Sequence, residues 1–115
     1  MRKEREGFGM DELLKIGFAT SDETRLRILA FLVREGECCV CELEASLGIF
    51  QSRISRHLKI LKEAGFLEVK REGKWAYYAL ASQAPLQALF IEQISKLSLP
   101  LPPKISACEI KGEES

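Results

Sequence analysis

Long apolar runs are absent from this sequence. The longest uninterrupted one, residues 28–33, is far shorter than the roughly 20 residues that a membrane-spanning helix needs. The first six residues are mostly charged, with both signs present, and no apolar stretch follows them, which argues against a secretory signal. We therefore expect a cytoplasmic protein without a membrane partner, whose thiols are kept reduced.

Residues typical of catalysis are scarce. The chain has a single histidine, no glycine-rich phosphate loop and no evident pairing of a nucleophile with a base. An enzymatic function is therefore not expected.

An excess of charge of either sign is also lacking, because 17 basic residues balance 17 acidic ones. The distribution is uneven, however. Residues 51–74 contain seven basic and three acidic side chains, a local excess of four positive charges. A basic patch on a neutral protein can bind phosphate, while the acidic remainder limits indiscriminate binding.

The length of 115 residues allows one domain with a modest core, so dimerisation would add stability. We place this domain at residues 1–98. Three prolines follow it (Pro100, Pro102 and Pro103), and we predict a flexible tail over residues 99–115.

Apolar spacing at the helical period predicts five helices. The first covers residues 11–19 with Asp11 as its N-cap, and the second begins near Ser21 or Asp22 and ends at Gly36. The third is short and ends at Gly48, the fourth covers residues 51–64, and the last covers residues 82–97. Only three residues separate the third helix from the fourth, which is typical of a helix-turn-helix.

After Gly65 the apolar period changes from 3.6 to 2, and Glu72-Gly73 divides two alternating segments. This pattern predicts a β-hairpin with basic residues at its tip. The predicted fold is thus mainly helical with a hairpin wing, a winged helix-turn-helix.

The fourth helix presents amide, hydroxyl, guanidinium and imidazole groups near its N-terminus, the end that recognition helices direct at base edges. The predicted DNA contacts are Gln51, Ser52, Arg53, Ser55, Arg56, His57 and Lys59 on this helix, with Lys70, Arg71 and Lys74 on the wing. A solvated polar helix face is the alternative, and His57 could instead be a structural hydrogen-bonding residue.

Three cysteines, Cys38, Cys39 and Cys41, fall where the third helix begins, and Cys108 lies in the tail. Thiolates are soft ligands for trivalent arsenic or antimony and for thiophilic divalent metals, and we expect the helix N-terminus to lower their pKa. Cys38 and Cys41 could share one helix face, whereas Cys39 and Cys41 would diverge unless the helix begins after Cys39 or unwinds. The alternative is that these cysteines are simply small buried apolar residues.

Residues 37–43, 51–65 and 71–78 together resemble the arsenical-resistance repressor (ArsR/SmtB) family, and the likeness extends over roughly residues 11–97. The resemblance implies a homodimer paired through its first and last helices. It also implies a repressor that binds a palindromic operator and releases it when a metal or metalloid binds. The family's arsenic pattern, Cys-x-Cys-x-x-Cys, matches Cys39 and Cys41, but its third position holds Glu44 here.

These residues predict a repressor that arsenite, As(III), or Sb(III) releases from DNA by binding Cys39 and Cys41, with Cys38 or Cys108 as the third thiolate. The alternative is a repressor of the same fold that senses persulfide, oxidation or a thiophilic divalent metal through Cys41 and Cys108.

Overall fold

The structure, a computed structural model, describes residues 9–82 and 84–106 of the chain. Its elements follow in the order α1 (Met10–Ala19), α2 (Glu23–Glu35), β1 (Glu37–Cys39), α3 (Val40–Leu47), α4 (Gln51–Glu63), β2 (Leu67–Glu72), β3 (Trp75–Leu80) and α5 (Pro85–Ser95). The prediction of a mainly helical fold with a hairpin wing is confirmed.

Helix α2 forms the centre of the core, as its wide apolar face predicts. Asp22 caps it by accepting a hydrogen bond of 3.0 Å from the backbone N–H of Arg25. Its apolar residues from Ile28 to Leu32 are all buried, and α5 packs against the helix. The helix ends at Gly36, whose φ of 87° is a conformation that favours glycine.

The hairpin of β2 and β3 belongs to a three-stranded antiparallel sheet of order β1-β3-β2. Strand β1 was not predicted, because three residues that include two cysteines carry too little periodicity to indicate a strand. It lies at the sheet edge, where Cys38 pairs with Tyr78 and Cys39 with Tyr77. The cysteine segment is thus fixed by cross-strand pairing before α3 begins.

Several helix boundaries differ from the prediction by a few residues. Helix α1 begins one residue before Asp11, and the N–H of its cap residue Gly9 donates a 3.0 Å hydrogen bond to the Glu12 carboxylate. Helix α5 is shorter than the predicted 82–97 because Pro85 occupies its first turn, where the missing N–H costs nothing.

Residues 99–106, the described part of the predicted tail, contact the helices of the domain. Arg27 donates a 3.2 Å hydrogen bond to the carbonyl of Pro100, and Arg34 donates one to the carbonyl of Pro102. Further along, the backbone N–H of Ile105 donates a 2.8 Å bond to the hydroxyl of Ser46 on α3. Prolines stop a helix, but they do not prevent their carbonyls from accepting hydrogen bonds, so this segment packs along α2 and α3.

Within the described ranges, no helix has the length and apolar character required to cross a membrane. The apolar residues left exposed are concentrated on α1, at Met10, Leu13, Leu14 and Phe18, with Leu89 on α5.

Candidate functional site

Helices α3 and α4 form the predicted helix-turn-helix. Gly48 ends α3 in the left-handed conformation, with φ 69° and ψ 36°, which turns the chain sharply enough for α4 to start at Gln51. The inward residues of α4, Ile54, Leu58 and Leu61, are all buried, as the apolar spacing predicts. The opposite face of α4 is therefore free to meet a partner.

The predicted DNA contacts on α4 separate into two groups. Gln51, Ser52, Arg53, Ser55, Arg56 and Lys59 are all exposed. His57, by contrast, is half-buried, and its Nδ1 lies 3.1 Å from Nη1 of Arg25 on α2. The first group forms one polar, basic surface, whereas His57 has a partner inside the protein.

His57 borders a cavity of about 320 Å³ that we call the arginine cavity. Its lining residues are Phe18, Asp22, Arg25, Arg53, Arg56, His57 and Ile60. Burial lowers the pKa of His57, the neighbouring arginines lower it further, and Asp22 opposes both effects. The imidazole is therefore neutral at neutral pH.

The three basic residues of the wing, Lys70, Arg71 and Lys74, are exposed around the hairpin tip. Lys70 Nζ lies 3.8 Å from a carboxylate oxygen of Glu37 and 3.7 Å from one of Glu72. Part of its charge is thus compensated within the protein. Lys74 extends over Trp75, with its Nζ 6.0 Å from the ring centroid.

The three clustered cysteines do not form a single group. Cys39 is the extended N-cap residue of α3, and its Sγ lies 2.6 Å from the Sγ of Cys41 in the first helical turn. Because Cys39 precedes the helix, the two sulfurs meet without any unwinding, which was one of the two conditions for their convergence.

Cys38 lies apart from that pair. It precedes Cys39 in β1, so its side chain points to the opposite face of the strand, and it is fully buried in the apolar core. The expectation that Cys38 and Cys41 share a helix face is therefore wrong, because Cys38 is not helical. Cys108 lies outside the described residues.

The expected lowering of the cysteine pKa values is also wrong where a shift is resolved. Burial, reinforced by the contact with Cys39, raises the pKa of Cys41 to about 12. Burial likewise raises the pKa of Cys38 to about 12. Desolvation disfavours the thiolate more than the helix N-terminus favours it, so both side chains are thiols at neutral pH.

The cysteine pair borders a second cavity, of about 270 Å³, which we call the thiol cavity. Its lining residues are Cys39, Val40, Cys41, Glu44, Gln51, Lys74, Trp75 and Ala76. It therefore joins the two thiols to the first residue of α4 and to the wing. The sequence did not indicate Trp75 as a site residue, since its place in an alternating strand is equally typical of packing.

A preformed metal centre is not found in the described ranges 9–82 and 84–106, where no three histidine, cysteine or acidic side chains are grouped to hold an ion. What the structure brings together is a pair of thiols.

Comparison with known proteins supports the assignment of this architecture. Residues 22–69 match the family described as "Bacterial regulatory protein, arsR family". The chain is 46% identical over 68 residues to the arsenical resistance operon repressor of Escherichia coli K12, an alignment that covers 59% of this chain and 58% of that protein. The chain therefore spans little more than half the length of this curated relative.

Solved structures match over more of the chain. HlyU from Vibrio cholerae N16961 superposes with a TM-score of 0.65 at 30% identity, covering 85% of this chain and 98% of that one. The homodimeric winged helix-turn-helix domain of Mb0332 from Mycobacterium bovis superposes with a TM-score of 0.64 at 29% identity, covering 74% and 76%. This fold and these relatives are those of transcriptional regulators, not of enzymes. With its helix-turn-helix, wing and core in the same arrangement, the chain belongs to the arsR family of bacterial regulatory proteins.

Proposed function

We propose that this chain is a homodimeric transcriptional repressor that leaves its operator when trivalent arsenic or antimony binds Cys39 and Cys41. The observation that carries the proposal is that the sulfurs of Cys39 and Cys41 lie next to each other, at a cavity that Gln51 of α4 and Lys74 of the wing also line. The proposed arsenic ligands and two of the proposed DNA contacts thus line the same cavity.

The protonated state of Cys41 favours trivalent arsenic over a divalent cation. Arsenous acid, As(OH)3, is uncharged at neutral pH. When a thiol replaces one of its hydroxyl groups, that hydroxyl takes up the thiol proton and leaves as water. Two such exchanges form two As–S bonds and release two waters, with no oxidation and no net proton release. A divalent cation must instead displace the thiol proton, which a pKa of about 12 makes costly.

The third coordination position of arsenic can keep its hydroxyl or take a third thiolate. Cys38 would have to leave the core to supply that thiolate, which exposes apolar contacts, whereas Cys108 could approach from its own or the partner subunit. Glu44, which stands at the third position of the family pattern, lines the thiol cavity and could accept a hydrogen bond from a retained hydroxyl.

Ligation also supplies a route to DNA release. Two thiolates that bind one arsenic atom connect the end of β1, at Cys39, to the first turn of α3, at Cys41. Ligation therefore acts on α3, and α3 packs directly on α4. A ligand that prefers an arrangement of α3 in which α4 reads DNA poorly lowers operator affinity by the same coupling free energy.

The exposed faces of α1 and α5 are the proposed dimer surfaces. Leu13, Leu14 and Phe18 are each more than half exposed, as is Leu89, a large apolar surface for a small domain. We assign these faces to a second copy of the chain, because the similar Mb0332 domain is homodimeric. A two-fold dimer presents two copies of α4, which fits a palindromic duplex.

The redox alternative uses the same neighbourhood. A persulfide or oxidant that joins Cys41 to Cys108 would also move the first turn of α3, and Cys41 is the less buried member of the cysteine pair.

The experiment is a titration of the reduced protein on an operator duplex selected from a random library, followed by fluorescence anisotropy. Arsenite and antimonite should release the DNA at lower concentration than cadmium, zinc or a persulfide donor. Fluorescence of Trp75, the single tryptophan, should change at the same concentrations because its side chain lines the thiol cavity. Sedimentation in the absence of DNA should show a dimer. Release by persulfide alone, blocked in Cys108→Ser, would favour the redox alternative.

A further inference from the structure

We propose that His57 is a positioning residue and not a DNA contact: its neutral imidazole accepts a hydrogen bond from Arg25 and thereby holds α4 in the orientation that reads DNA. The inference rests on the proposed binding of DNA by α4. It predicts that operator affinity falls when His57 is protonated.

Arg25 is fixed from several sides. The residue is only 6% exposed. Its Nε donates a 3.1 Å hydrogen bond to the carbonyl of Ala19, and its Nη2 donates a 2.9 Å hydrogen bond to the carbonyl of Phe18. Its guanidinium carbon also lies 4.7 Å from the centre of the Phe18 ring. The guanidinium of Arg25 is therefore held in one position by hydrogen bonds to the C-terminal end of α1.

The third guanidinium nitrogen of Arg25, Nη1, lies 3.1 Å from Nδ1 of His57. A guanidinium has donors and no acceptor, so this contact is a hydrogen bond only if Nδ1 carries a lone pair and the ring proton is on Nε2. An imidazolium would present a donor to a donor and a positive charge to a positive charge. Protonation of His57 therefore breaks the bond.

The surroundings of the ring oppose protonation. Arg25 and Asp22 face it from the α2 side, Arg53 and Arg56 from α4 itself, while α1 contributes the uncharged Phe18 to the same cavity. Burial and the three arginines lower the pKa of His57 below its usual value, and the single carboxylate of Asp22 does not compensate. A histidine with a lowered pKa in the folded protein stabilises the fold above its unfolded pKa. That contribution is lost as the pH falls through the interval between the unfolded and folded pKa values.

The Arg25–His57 hydrogen bond connects α4 to α2 and, through the other two hydrogen bonds of Arg25, to the C-terminal end of α1. These helices are proposed to have different roles. The Leu13 face of α1 is proposed to pair protomers, and α4 is proposed to read DNA. Through Arg25, the angle of α4 is set relative to the dimer surface, so the bond affects the spacing of two recognition helices on a palindrome.

The sign of the pH effect separates this proposal from a direct DNA contact. A histidine that touched a phosphate would gain charge on protonation and strengthen binding, with a steeper salt dependence. A positioning histidine weakens binding instead. Because the chain contains one histidine, a change between pH 7.5 and 5.5 is readily assigned.

The test measures operator affinity at constant ionic strength from pH 7.5 to 5.5 for wild type, His57→Asn and His57→Leu. Asparagine keeps an acceptor near the position of Nδ1 and does not titrate, whereas leucine has a similar size and no acceptor. Wild type should lose affinity in proportion to the protonated fraction of His57, followed by NMR in the same pH series, and the loss should reach about tenfold at full protonation, the scale of one hydrogen bond to a charged group. His57→Asn should bind like wild type at pH 7.5 and change little with pH, and His57→Leu should bind about tenfold more weakly at both.

Affinity that stays constant or rises while NMR shows His57 becoming protonated overturns the proposal, as does an asparagine variant as weak as the leucine variant. An NMR measurement on the free protein separates this inference from the proposed function. A neutral ring with its proton on Nδ1 would overturn the inference even if the operator is bound. Failure of the wild type to bind any duplex at pH 7.5 would instead overturn the DNA-binding proposal itself.

Discussion

Helix α4 is bordered by two cavities of similar size and opposite character. The thiol cavity, of about 270 Å³, lies at its first residue, and the arginine cavity, of about 320 Å³, lies along its middle. In the first, two thiols touch at the junction of an edge strand and a short helix. In the second, a buried guanidinium donates to two carbonyls and faces one imidazole.

These two surroundings predict different roles for the two cavities in positioning α4. A guanidinium with a hydrogen bond from each of its three nitrogens resists displacement, because moving it leaves several polar groups unpaired. The two neighbouring thiols have little such anchoring, since sulfur is a weak donor and acceptor, so a ligand that binds both can reposition them. We therefore expect the arginine cavity to set the resting position of α4 and the thiol cavity to change it.

The largest effect should come from disabling the thiol cavity alone. A Cys39→Ser, Cys41→Ser double variant should lose the response to arsenite entirely, because no pair of soft ligands remains, while its operator affinity without ligand stays within about twofold of wild type. Anisotropy titrations measure both quantities. Cys38→Ala is the matched control and should retain the response, since Cys38 faces the core. Arsenite that still releases DNA from the double variant would contradict the proposed mechanism.

A second test uses proton release to distinguish the ligands of the thiol cavity. Because burial raises the pKa of Cys41 to about 12, this thiol is protonated between pH 6 and 8. Cadmium affinity should therefore rise with pH by about tenfold or more per unit, whereas arsenite affinity should change little. Trp75 fluorescence at several pH values measures both affinities. A cadmium affinity that is independent of pH would mean that a thiolate exists before ligation.

The arginine cavity can be weakened without touching the thiols. Arg25→Lys keeps the charge but loses the guanidinium, so it should lower the free energy of unfolding by about 2 kcal/mol. Urea denaturation gives the change, and Arg27→Lys, at a half-buried arginine of the same helix whose ion pair with Glu23 a lysine can keep, should cost less, about 0.5 kcal/mol. The stoichiometry of arsenite binding should be unchanged in both variants. If Arg25→Lys instead abolished arsenite binding, the two cavities would not be independent.

The smallest effect concerns the wing residue that lines the thiol cavity. Lys74→Ala should weaken binding to all duplexes by a few-fold and reduce the salt slope by about one. Lys70→Ala should do less, because Glu37 and Glu72 lie within 4 Å of the Lys70 ammonium and already compensate part of its charge. Affinities at several salt concentrations give the slopes, and an equal loss in both variants would contradict this ranking.

Much of the fold was predictable from local patterns. The 3.6-residue spacing of Ile54, Leu58 and Leu61 identified α4 and its buried face, and Gly48 and Gly36 marked helix ends where a positive φ is needed. The period-2 segment around Glu72-Gly73 identified the hairpin. These signals succeed because each depends on neighbours within a few residues.

The site was predicted less completely. The exposed residues from Gln51 to Lys59 were identified from their chemistry, but the partner of His57 is Arg25, which is 32 positions away. No local pattern pairs them. The contacts of the tail segment were out of reach for the same reason, since its prolines predicted the end of a helix, but its hydrogen bonds are to α2 and α3.

Side-chain chemistry and short-range periodicity were enough to predict the helices, the wing and the presence of soft sulfur ligands, and they gave the basic face of α4 as the candidate surface for DNA. Which cysteines meet depended on tertiary packing. Pairing of β1 with β3 ends the extended segment at Cys39, so that Cys38 faces the core and Cys39 faces Cys41. The same packing desolvates the Cys41 thiol and raises its pKa, reversing the effect expected of a helix N-terminus, because burial acts through all surrounding atoms and not through sequence neighbours alone.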